Sequence, residues 1–107
     1  QEPAFARGHL LLALVSDALG QDEEARREIG LALAGAANLT SEQRLHVESV
    51  HHLMTRDYDG AIQVLQALVR VYPDSLRYGF HLARAQRFAG RLEDAAATLE
   101  SLRRLPA

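Results

Sequence analysis

The chain has 107 residues, enough for one domain with a modest core, and its 48% hydrophobic and 24% charged content is that of an ordinary globular protein. A net charge of -2 lacks the basic surplus that a nucleic-acid interface needs, and all twelve cations are arginine, which excludes lysine-dependent chemistry from a phosphate-loop lysine to a Schiff base. With no cysteine there is no disulfide, thiol nucleophile or thiolate metal site, and the redox compartment stays open.

Apolar residues at Phe5, Leu10, Leu11, Leu12, Leu14, Val15 and Leu19 predict a first helix from Ala4 to about Leu19, ended by Gly20 in a left-handed stop. Asp22, Glu23 and Glu24 occupy the first turn of the second helix, where the helix dipole favours carboxylates. That helix runs to about Ala36, with Ile29, Leu31 and Leu33 as its larger apolar groups, and is softened by Gly30 and Gly35. Thr40 with Gln43 reads as a capping box opening a third helix, whose apolar face is Leu45, Val47, Val50, Leu53 and Met54. Arg56 and Asp57 turn the chain into a fourth helix, Tyr58 to Val71, which carries the densest apolar stripe: Ile62, Val64, Leu65, Leu68 and Val69. Pro73 stops it, and Asp74 or Ser75 caps a fifth helix that reaches Ala89. After Gly90 the sixth helix, Leu92 to Leu105, is expected to bury Ala95, Leu99 and Leu102 and to end at Pro106. The chain does not start with methionine and has no leader-like segment, so it is expected to be a fragment of a larger protein of open localisation. Its longest apolar run, Leu10 to Val15, is far too short to cross a bilayer.

Three stretches repeat one another. Ala95 lies 34 residues after Ala61, and Ala25 lies 36 residues before it, each at the same place in a similar helix. Such a period, carried by helix pairs, marks a stacked array. Aligned on these alanines, the first helices place Ala13, Ser49 and Ala83 together, the turns Gly20, Arg56 and Gly90, and the second helices Ile29, Leu65 and Leu99, while Pro73 and Pro106 close the last two copies. These residues resemble the tetratricopeptide repeat family over essentially the whole chain. The resemblance implies an all-α fold of three helix-turn-helix repeats, about residues 6–39, 42–75 and 76–107, stacked as six antiparallel helices in a right-handed superhelix. The chain departs from the family where aromatics are usual, with His9, Ser16, Leu45, His52, Gly79 and Gln86 instead. First-helix packing more polar than the family norm is therefore expected.

In the family the first helices line a concave groove that binds a protein or peptide. Carried over by position, that groove takes Arg7, Leu10, Leu14 and Asp17, then Gln43, His46, Val50 and Leu53, then Arg77, Phe80, Arg84 and Arg87. It is expected to be apolar at its start and cationic at its end, suiting a partner with acidic groups, because arginine forks match carboxylates. One subset of the family holds a chain-terminal carboxylate with polar residues where this chain has Leu10, Leu14, Val47, Arg77 and His81. Only Arg77 matches in kind, so that clamp is not expected. The bland alternative for the arginines is a solvated face.

Other chemistry finds little support. His46, His51 and His52 share one helix, but neighbouring residues diverge by about 100° around it, and no metal-ligand spacing appears. His52 is expected to contact another helix, with Glu48 one turn earlier as its partner, and His51 to face solvent; a pH-sensing role for the histidines stays physically open. The carboxylates sit at helix starts, where capping explains them, and no serine has nucleophile-elbow framing. No catalytic residue, cofactor or metal is expected. A second resemblance, over Asp74 to Pro106, is to the repeat-rich C-terminal parts of bacterial multidomain signalling proteins, which follow a winged-helix or serine/threonine kinase domain. It implies a docking or sensing segment. The alternative is a structural spacer that self-associates through the apolar face of its uncapped last helix.

Overall fold

The structure is a computed structural model that describes the backbone of residues 3–106 and the side chains of residues 5–106. Six α-helices follow one another: α1 (Pro3–Ala18), α2 (Asp22–Ala34), α3 (Ser41–Met54), α4 (Tyr58–Val71), α5 (Leu76–Phe88) and α6 (Leu92–Arg103), with a short 3-10 turn, Ala36–Asn38, between α2 and α3. There is no strand among the described residues.

The turns inside the three helix pairs are copies of one another. Gly20, Arg56 and Gly90 hold φ of 77°, 63° and 80°. In each, the following amide bonds back to a carbonyl five residues earlier: Gln21 to Ser16, Asp57 to His52 and Arg91 to Gln86, all at 2.8 Å. This closes the helix end with its own backbone and reverses the chain sharply. The connections between pairs differ. Gly35 stops α2 two residues short of the expected Ala36, its amide bonding back to Leu31 and Ala32, and Thr40 then opens α3 with the expected capping box. After Pro73, Ser75 rather than Asp74 caps α5, accepting from the Tyr78 amide.

Small residues sit where paired helices approach. Ala13, Ser49, Ala25 and Ala61 are at most 1% exposed, and Ala83 and Ala95 are nearly as buried. The antiparallel sense shows in the contacts: Gln86 meets Thr98, and Gly79, near the start of α5, lies against Leu102, near the end of α6. Leu102 fills the space an aromatic at position 79 would have taken. Between the pairs, Ile29 and Leu65 are fully buried, each contributing about 2 kcal/mol of burial. Leu99, the equivalent in α6, corrects the expectation: it is 44% exposed, and Leu102 only half-buried, because no further helix among the described residues covers α6. The first-helix packing is polar, as anticipated: Ser16, Glu28 and Gln86 are buried, and His9 Nδ1 meets Glu28 Oε2 at 2.5 Å. His52 pairs with Asp57 at 3.0 Å instead of Glu48, since the turn folds Asp57 back over the end of α3. His51 is half-buried rather than solvated, its ring edge-on to that of His52.

Candidate functional site

The first helix of each pair contributes to one trough. A hollow of about 740 Å³, within the range of ligand-binding clefts, is lined by α1, α3, α5 and Leu39 of the preceding turn; α2, α4 and α6 supply none of its lining. Leu10, Leu11 and Leu14 form its apolar wall, Val47, His46, Tyr78 and His81 its floor and far side, and Arg7, Gln43 and Arg77 its polar border. It continues past Leu14 and His81 into a second hollow of about 40 Å³ lined also by Asp17, Val50, Leu53, Met54, Arg84 and Phe88.

Of the residues expected to face a partner, Arg7, Leu10, Leu14, His46 and Arg77 meet in the first hollow, and Leu14, Val50 and Arg84 in the second. Phe80 and Arg87 line neither; Phe80 is 54% exposed, and the Arg87 guanidinium stands 5.4 Å from the Phe88 ring centre. The reason is angular. Arg84, seven residues after Arg77, falls almost beneath it, whereas Phe80 and Arg87, three and ten residues on, lie roughly 60–80° around the helix. Nor do the cations gather at one end, since Arg7 borders the same hollow as Arg77.

Glu42 and Tyr78 were missed by sequence reasoning. The Tyr78 hydroxyl donates to Glu42 Oε2 at 2.6 Å, joining α5 to α3. Burial first, and then this bond, push the Tyr78 hydroxyl pKa up to about 12. No single-helix period could have found the pair, because it lies where two first helices meet side by side. Across the trough, Arg84 Nη2 lies 3.4 Å from Asp17 Oδ2 and ties α5 to α1. Arg7 and Arg77 have no carboxylate partner among the described residues.

Two imidazoles occupy the centre. The rings of His46 and His81 stack with centres 5.6 Å apart, and Tyr78 meets His46 edge-on at the same distance. Burial, then His81 and Arg77, lower the His46 pKa to about 4; burial, then Arg84 and Arg77, lower that of His81. Both rings are thus neutral at physiological pH. The trough can accept a segment of chain, cover it with leucine and offer it guanidinium forks and neutral imidazoles.

A tetratricopeptide repeat family model matches residues 52–105, just over half of the chain, from the end of α3 through α6. No curated protein matches the chain. No solved structure does either. No helix among the described residues is long and apolar enough to cross a membrane. The repeats of this family generally mediate protein–protein interaction and are typically non-catalytic. With the family match over three helices and the same turn geometry carried back into α1 and α2, the chain belongs to the tetratricopeptide repeat family.

Proposed function

We propose that this chain is a non-catalytic docking module of three repeats, about residues 6–39, 42–75 and 76–107, that holds a segment of another protein in the trough between α1, α3 and α5. The observation that carries this is the pairing of an apolar wall, Leu10 and Leu14, with two arginines, Arg7 and Arg77, that no described carboxylate neutralises. Leucine supplies burial, and each guanidinium supplies a forked set of donors that matches a carboxylate. The segment therefore carries acidic side chains. We assign the module to a larger bacterial signalling or regulatory protein; the support for this is the resemblance of Asp74 to Pro106 to the repeat-rich parts of such proteins.

The test is a photo-crosslinking amino acid at Leu14, compared in three backgrounds in lysate of the source cell. One is otherwise unchanged, one carries Arg7→Glu and Arg77→Glu, and one carries Arg26→Glu and Arg70→Glu, which lie on α2 and α4 away from the trough. Specific adducts are expected in the first and third and absent from the second. Equal adducts in both charge variants would remove the groove from consideration.

A second reading is favoured by the ends of the molecule. Leu11, Leu12 and Leu19 of α1 and Leu92 and Leu99 of α6 are all exposed, a surface suited to self-association.

A further inference from the structure

Both carboxylates of the trough are already engaged. Glu42 accepts from Tyr78, and Asp17 holds Arg84. Besides Arg7 and Arg77, the histidines are left over: His46 Nε2 and His81 Nδ1 are buried with no hydrogen-bond partner among the described residues. Leaving one such atom unpaired costs about 1–3 kcal/mol, and here two stand on stacked rings beside an open hollow. His46 itself is only 7% exposed.

The groups around the pair come from all three helices. From α1 there are Arg7 and Asp17, from α3 Glu42, and from α5 Arg77, Tyr78 and Arg84. Three guanidiniums thus face two carboxylates, both already engaged, and the surplus is positive. In that field, and shielded from water, neither imidazole holds a proton at neutral pH. An arriving carboxylate reverses the balance: it offsets Arg7 and Arg77, and it makes an imidazolium N–H a better donor than a neutral ring.

We propose that docking is proton-linked: a glutamate or aspartate side chain of the partner segment enters between Arg7 and Arg77, and the stacked His46–His81 pair takes up one proton from solvent as it does so. This rests on the docking function proposed above. A side chain, not a chain end, is the source of the carboxylate, because Leu10, Leu14 and Val47 line the hollow where a clamp for a chain terminus needs polar residues. The sign follows from linkage. The empty pair gives up its proton at low pH, His46 at about 4, whereas the pair beside a carboxylate keeps one to higher pH. Between those limits the affinity rises as pH falls, by at most about tenfold per pH unit. Below about pH 4.5 the gain ends, as the partner's own carboxyl becomes protonated.

The test uses an array of C-terminally amidated random dodecapeptides, every sequence present twice, once with a central glutamate and once with glutamine in its place. The protein is applied at about pH 5.5 and about pH 7.5, a range in which the peptide carboxylate stays mostly ionised. Glutamate members are expected to bind roughly tenfold or more tightly at the lower pH, and their glutamine twins equally at both. Calorimetry of the strongest pairs near pH 6, in two buffers of different ionisation enthalpy, is expected to count close to one proton taken up with the glutamate member and none with its twin. Both readouts use the unaltered protein, so neither depends on a histidine variant folding. Glutamate members that bind in the trough without pH dependence or proton uptake would overturn the inference and leave the docking function standing. Binding that survives Arg7→Glu with Arg77→Glu, or no binding by either twin at either pH, would overturn both.

Discussion

Arg56 holds a φ of 63° at the turn where the other two pairs place Gly20 and Gly90. A left-handed backbone costs a residue with a Cβ about 1–2 kcal/mol, and glycine is spared that cost. The hydrogen bonds on either side are the same in all three turns, so the arginine is tolerated by the frame rather than required by it. Arg56→Gly is therefore expected to stabilise the protein by about 1 kcal/mol, once the greater freedom of glycine in the unfolded chain is set against the relief. For a domain of this size that is a rise in melting temperature of roughly 4–8 °C, measured by thermal unfolding. A fall would mean that the arginine side chain makes a contact worth more than the backbone relief. At this scale the sequence was informative where a local pattern decides the geometry, as in the capping box of Thr40 and Gln43, both of whose bonds form. It was misleading for His52, whose partner Asp57 is selected by the path of the turn and not by the helical spacing that suggested Glu48.

Each helix pair depends on a close approach at small residues, and Ala61, like Ala13 and Ser49, has no exposed surface at all. Ala61→Phe has nowhere to put a ring, and is expected to cost roughly 1–3 kcal/mol by overpacking α4 against its neighbours. Gln63→Phe, on the exposed side of the same helix, is the control and should leave the melting temperature nearly unchanged. An equally small effect at Ala61 would mean that the repeat register is wrong. Helix limits were legible to within one or two residues because caps, glycines and prolines are local. The direction of α1 was not. Of its seven larger apolar residues only Leu10 and Leu14 pack on the core, while Phe5, Leu11, Leu12, Val15 and Leu19 are exposed. A hydrophobic period gives the stripe but not the side on which a neighbour lies. The trough was half legible for the same reason: repeat position brought Arg7, Leu10, Leu14, His46 and Arg77 to one hollow, yet the bond between Glu42 and Tyr78 depends on how α3 and α5 meet.

Across the whole molecule, each inner first helix is covered by the second helix before it: α2 packs on α3, and α4 on α5. The last of these interfaces buries Tyr78, Leu82 and Ala85 in one cluster with Ile62, Leu65 and Leu68. In the register that aligns Ala13 with Ala83, the matching residues of α1 are Gly8, Leu12 and Val15, and all three are exposed. In the register that aligns Ala61 with Ala95, Leu65 matches Leu99, which is 44% exposed. Among the described residues, α1 and α6 thus carry, uncovered, the two halves of an interface the molecule already uses inside itself. Outer faces of an array are soluble when they are polar, and among the described residues these two are not. One copy's α6 is expected to pack on the next copy's α1, and because the two surfaces differ the contact does not close on itself, so that mass grows with concentration instead of stopping at a dimer. The contact is weak, since Ala96 and Arg103 of α6 stand where α4 has Ile62 and Val69. Sedimentation velocity from micromolar to millimolar concentration should show a steadily rising coefficient, abolished by Leu12→Gln with Leu19→Gln. Those two residues are 51% and 67% exposed, so the melting temperature should hold while association is lost. A coefficient that stays constant over the whole range would remove self-association as a function of this chain and leave the trough as its only docking surface among the described residues.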